Sequence, residues 1–335
     1  MGLFDQTTTA FVVTRAVHYC ACLLLVTAFA FEMLVLSPLE PDASRLIATA
    51  WRRLARVLVL VCVPLALVSG AAWFGLVAVD MSGSSWHDTI KPDVLSEVWS
   101  QTQFGHVWQV RGIFWLIAMA AGCVALFSPP RLRGKRSTEG RRTRVYVFDV
   151  LGLMASAALC GSLAWAGHGS AGPWPQWHLA ADVIHLVISG FWPAGLLPFA
   201  WLLLVLRRSD QPQARDTIAT LTRRFSAVSF ASVLLLATSG LVNSWILLGS
   251  IANLFHTAYG KMLLLKIALF VAMVLLGATN LLYLKPQITR ASPGRGIDSS
   301  RFVGALQLSV AIELVLGILV IVVVGMLGLL PPGAE

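Results

Sequence analysis

The 335-residue chain is 57% hydrophobic and 12% charged, against the roughly 25% charge of an ordinary soluble domain. That composition excludes a water-soluble globular fold. The net charge of +9 gathers in alternate loops rather than on one face, which argues against a nucleic-acid surface.

Eight apolar runs cover residues 11–36, 54–79, 106–128, 146–166, 178–206, 224–249, 260–284 and 303–330. Each is long enough to cross a hydrocarbon core, which takes ~20 helical residues. Because lipid satisfies no backbone polar group, the expected fold is an all-α polytopic membrane protein of about eight transmembrane helices. The chain reads as one transmembrane domain spanning residues 1–335. Basic residues crowd the segments 37–56, 129–145, 207–224 and 285–301, while 80–105, 167–177 and 250–259 hold almost none. Short basic loops stay in the cytoplasm, so both termini are expected on the outer face. Arg15 interrupts the first apolar run, and no cleavage site precedes it, so helix one is expected to be a retained anchor.

Helix one carries Arg15, His18, Cys20, Cys22 and, near its inner end, Glu32. Helix two holds Pro64 and a Ser69-Gly70 pair that allows a bend or a close helix contact. Helix three opens with His106 and carries Arg111; helix four ends at Trp165. The fifth begins Trp177-His178 and contains Pro193 and Pro198, which should kink it. Helix six brings Ser239-Gly240 and Asn243, helix seven Lys261 and Lys266 after His256, and helix eight Glu313. Cys20, Cys22, Cys62, Cys123 and Cys160 all fall inside helices, where packing is expected rather than a disulfide framework. Tryptophans near the predicted ends (Trp51, Trp73, Trp165, Trp174, Trp177, Trp245) read as an aromatic belt.

Three short matches make a candidate internal repeat. Ala16-Val17-His18 resembles Val183-Ile184-His185, Ser69-Gly70 resembles Ser239-Gly240, and His106 with Arg111 resembles His256 with Lys261. These matches suggest half-repeats over 1–166 and 167–335, related by an axis along the membrane normal.

All seven histidines fall in outer loops or the outer third of a helix. His178, Asp182 and His185 are spaced i, i+4 and i+7, so they share one helix face, and His168 lies in the Gly/Pro-rich loop just ahead. Ionisable groups in membrane helices are costly and usually functional. Imidazole suits copper, zinc, iron and nickel, and Asp182 can either ligate directly or orient an imidazole. The expected metal positions are therefore His168, His178, Asp182 and His185, followed by His18 and His106. For His18, a hydrogen bond to a neighbouring helix competes with ligation. Glu32, Asn243, Lys266 and Glu313 form a candidate polar path or a set of structural pairs. Histidines on different helices can also be axial ligands of b-type haem, a second reading for His18, His106 and His185. No phosphate-binding loop, dinucleotide fingerprint or hydrolase motif occurs, so no enzyme is expected.

Gly167-His168-Gly169, Trp177-His178-Leu-Ala-Ala-Asp182-Val-Ile-His185 and Phe191-Trp192-Pro-Ala-Gly195-Leu-Leu-Pro198 resemble the CopD copper-resistance membrane protein family. So do Arg224-Phe225-Ser226, Ala237-Thr-Ser-Gly240-Leu-Val-Asn243-Ser-Trp245 and Tyr259-Gly-Lys261-Met-Leu-Leu-Leu-Lys266. The resemblance implies a multi-pass protein of the bacterial inner membrane with periplasmic termini. It would accept copper at the periplasmic histidine cluster and move it across the membrane in uptake or tolerance, working with a separate periplasmic copper-binding protein of the CopC type. A non-transporting anchor or sensor for that partner is a further alternative. Pro193 departs from the residues usual in the family at that position.

Overall fold

The computed structural model describes residues 6–36, 44–83, 91–127, 139–166, 175–210, 213–290 and 299–332. Among them there is no strand; the fold is a helical bundle. We number the helices α1 (Gln6–Phe31), α2 (Ser44–Ser82), α3 (Pro92–Gln101), α4 (Gln103–Phe127), α5 (Glu139–Gly161) and α6 (Pro175–Ser189). They continue as α7 (Leu196–Arg207), α8 (Ala214–Leu248), α9 (Ile251–His256), α10 (Ala258–Thr279), α11 (Lys285–Arg290) and α12 (Ser299–Leu327). Seven of the described helices are long and apolar enough to cross a membrane. Many of their outward positions are large and apolar, among them Leu60, Val68, Met154, Leu241 and Leu275. In a soluble protein such a surface would aggregate; in lipid it is the solvated face.

The fifth expected crossing is two shorter helices, α6 and α7, with a non-helical turn between them. Pro193 has no N–H to give, and the ladder falls into tighter bonds such as Gly190 N–H to Val187 O at 3.0 Å. Thr27 of α1 donates its hydroxyl to the Gly190 carbonyl at 2.7 Å, satisfying a group that lipid would leave bare. The turn can approach α1 this closely because residue 190 is glycine: a Cβ there would stand 2.7 Å from Val26.

α2 and α8 run 39 and 35 residues, about 58 and 52 Å at ~1.5 Å per residue, against a ~30 Å hydrocarbon core. Both project well beyond the membrane. Arg52, Arg53 and Arg56, and likewise Arg215, Arg223 and Arg224, sit on these projections rather than in loops, because a helix satisfies its own backbone bonds outside lipid too. α8 ends at Gly249 with φ +66°, whose N–H caps the Trp245 carbonyl; that left-handed position suits glycine alone among common residues.

Two large apolar clusters form most of the core, and a smaller third gathers Leu248, Tyr259, Leu263, Val323 and Leu327. One of the two gathers Phe31, Trp51, Trp192, Phe199 and Phe225 with inner parts of α7, α8 and α12. The other gathers Tyr19, Leu25, Trp73, Trp108 and Leu163 where α1, α2, α4 and α5 meet. Trp51 and Trp73 are thus 2% and 1% exposed, not members of an interfacial belt. Both lie inside α2, about two turns or more from its ends, and face inward. Trp177 and Trp245, at 70% and 65% exposure, do face outward.

Candidate metal centre

Three helix contacts fix the geometry at one end of the bundle. α1 packs on α2, α6 on α8, and α4 on α5. The five described histidines, His18, His106, His178, His185 and His256, all lie at this end. His168 and His87 fall outside the described residues.

His178, Asp182 and His185 follow one another on α6 as the spacing requires. His178 is buried, and its Nδ1 has no hydrogen-bond partner among the described residues. Asp182 accepts a hydrogen bond from Asn243 Nδ2 of α8 at 3.2 Å, while the buried Asn243 Oδ1 has none among the described residues. His185 Nδ1 meets Ser239 Oγ at 3.0 Å. Ser239 donates its own proton to Leu235 O at 2.6 Å, so its oxygen is left to accept, and the ring proton belongs on Nδ1. The lone pair of the ring is then on His185 Nε2. Lys266 of α10 interacts electrostatically with both Asp182 and His185, giving this acid a cationic neighbour. Among the described residues, no three His, Cys, Asp or Glu side chains converge into a preformed metal cage.

The remaining candidates are dispersed. His18 sits in a separate cluster: Nδ1 meets Ser69 Oγ at 3.0 Å and Nε2 accepts from Arg111 Nη2. Both ring nitrogens are therefore used, and the neighbouring-helix hydrogen bond is what the structure shows for it. His106 donates from Nε2 to Ser100 O at 3.1 Å, which fastens α4 to α3. Glu32 accepts from Trp51 Nε1 at 3.0 Å near the opposite end. Glu313, 2% exposed, accepts from Asn280 Nδ2 at 2.6 Å. There the backbone winds into a π-turn, Asn280–Leu284, a local form often found at functional sites.

Ser69, expected only to allow a bend or a close helix contact, and Ser239, its match in the repeat, fix the two imidazoles. Each is followed by a glycine, and that pair was the available signal. A Cβ on Gly70 would stand 3.1 Å from His18 Cε1, and one on Gly240 3.3 Å from His185 Cε1. Both rings need that missing side chain.

A bundle of long apolar helices with buried histidine and half-buried carboxylate and lysine at one end defines an all-α polytopic membrane protein. Residues 219–327 match the family described as Copper resistance protein D, and residues 6–177 match Copper resistance protein D-like, N-terminal domain. The chain is 33% identical over 269 residues to copper resistance protein D of Pseudomonas syringae pv. tomato, covering 78% of each. It is 30% identical over 211 residues to copper transport protein CutJ of Bacillus subtilis, covering 62% of this chain and 35% of that protein. Inner membrane protein YebZ of Escherichia coli is 26% identical over 320 residues, 95% of this chain and 97% of that protein. The chain belongs to the copper resistance protein D family.

Proposed function

We propose that this protein handles copper in the bacterial inner membrane, taking it as cargo at the periplasmic end of the bundle and passing it inward. His178, Asp182 and His185 supply the donors, with His168 from the loop ahead completing the set. One observation carries this reading. Two buried polar atoms, His178 Nδ1 and Asn243 Oδ1, lie beside Asp182 with no partner among the described residues. An unpaired buried polar atom costs about 1–3 kcal/mol, and such atoms in folded proteins call for a functional reason. Imidazole nitrogen and carboxylate oxygen suit copper. Asn243, Lys266, Glu313 and Glu32 mark polar stations from this end toward the other. The family and the names of the relatives support copper as the cargo; a separate periplasmic CopC-type protein is the donor proposed with it. No catalytic role is assigned.

The test is copper stoichiometry and the visible spectrum of detergent-purified protein, wild type against His178→Ala/His185→Ala. The expected result is bound copper in the wild type, lost in the double variant, with no Soret band. Copper retained by the folded double variant would overturn the site. A Soret band would move the reading to a b-type haem protein, and bound copper without flux in proteoliposomes would move it to an anchor or sensor.

A further inference from the structure

We infer that the N-terminal half holds a second cation site, built on the same plan as the one around His185, and that Arg111 fills it as a built-in cation. With the guanidinium removed, His18 Nε2 and Cys22 Sγ would hold a soft monovalent metal, Cu(I) or Ag(I). This does not depend on copper binding at His185.

The plan is shared atom by atom. In both halves a histidine Nδ1 meets a serine Oγ at 3.0 Å across two helices. In both, that serine donates to the carbonyl four residues back, Leu65 O at 2.5 Å and Leu235 O at 2.6 Å. In both, a glycine follows the serine and admits the ring. A short helix before α4 and before α10 ends in a threonine whose Oγ1 accepts a glycine N–H at 2.9 Å, Thr102 to Gly105 and Thr257 to Gly260. Six residues past each glycine (105 to 111, 260 to 266) stand Arg111 and Lys266. That register pairs Arg111 with Lys266, five residues beyond the pairing with Lys261 that short motifs suggest.

The two sites differ in charge. Three residues before the histidine stand Arg15 in one half and Asp182 in the other; four residues after the serine stand Trp73 and Asn243. Arg15 lies over the Trp73 ring, 4.8 Å from its centroid, where the other half has the Asn243–Asp182 hydrogen bond. The N-terminal site thus offers a cation only neutral support. Arg111, 4% exposed, receives it from five groups. It donates to Leu159 O and Ser162 Oγ, each at 2.7 Å, and to His18 Nε2. It lies 4.0 Å from Cys22 Sγ and 4.8 Å over the Trp108 ring. A delocalised, weakly hydrated guanidinium suits such a set. Cys22 Sγ stands 3.7 Å from His18 Nε2, so the two softest donors already adjoin, and thiolate with imidazole is a Cu(I)-type pair. On binding, the Cys22 thiol would give its proton to the buffer.

The test is an Ag(I) titration of Arg111→Met in protein where Cys20 and Cys123, the cysteines not buried, are serine. The expected result is one equivalent more than the same background with Arg111. That equivalent should vanish with Cys22→Ser or His18→Leu and persist with His185→Ala, which separates this site from the copper site proposed above. A folded Arg111→Met protein with no extra equivalent overturns the inference, as does a gain indifferent to His18 and Cys22. Cys22→Ser with Arg111 intact should leave the Ag(I) count unchanged. A drop there overturns the inference whether or not Arg111→Met folds, because the site would then be open in the native protein.

Discussion

Ser239 orients His185 without touching any cargo. Its hydroxyl proton is committed to Leu235 O, so it acts only as acceptor for the ring N–H and leaves Nε2 open. Ser239→Ala frees the ring to turn and to take either tautomer. Loss of such an outer contact typically lowers metal affinity 10- to 100-fold. A chelator competition should therefore show copper affinity reduced at least tenfold, with the unfolding midpoint nearly unchanged; equal affinity would remove Ser239 from the site. At this scale the sequence showed which residues share a helix face, because the i, i+4, i+7 spacing of His178, Asp182 and His185 depends on helix geometry alone. It did not show their partners. The serines that hold His18 and His185 lie 51 and 54 residues away, and helix periodicity says nothing about which neighbour a face meets. The same gap put Trp73 in an interfacial belt, when its ring lies under Arg15 and beside His18 at 5.6 Å.

The interrupted fifth crossing is the element with most to test. Pro193 and Pro198 announced a kink, but the extent of the break depends on Thr27, which takes up the freed Gly190 carbonyl. Thr27→Val keeps the shape and removes the donor. The expected outcome is a loss of about 1–3 kcal/mol, read as a lower thermal midpoint in detergent, with copper stoichiometry preserved. An unchanged midpoint would mean that Gly190 O is satisfied some other way. The helices longer than the bilayer, α2 and α8, escaped the hydropathy reading for a simple reason. Hydropathy reports where lipid ends, while the backbone continues as helix as long as no breaker stops it.

Over the whole molecule, the crowding of histidine at one end came directly from hydropathy and charge, since loop arginines set orientation and the loops set which end is which. Arg15 donates to Gly328 O at 2.8 Å, so the first and last helices close against each other at that end. The arginine pattern predicts that this end is periplasmic. A reporter active only outside the cytoplasm should be active when joined after α12 and inactive when joined between α7 and α8; the opposite pattern would invert the proposed route. The half-repeat proposed above leaves few marks in the sequence because its two copies share a scaffold and not a charge: the histidine, serine, glycine and threonine positions match as letters, while Arg15 stands against Asp182 and Trp73 against Asn243.

The Thr27 bond also has a mechanical side. The turn after Ser189 is pinned to α1 from outside its own helix, so the pair α6 and α7 has a fixed fulcrum at Gly190. A tug on α6 at the histidine end, from an ion drawing His178 or His185 toward a group on another helix, would not be absorbed by bending a continuous rod. α6 must swing as a short stiff lever about residue 190, and α1 feels that motion first.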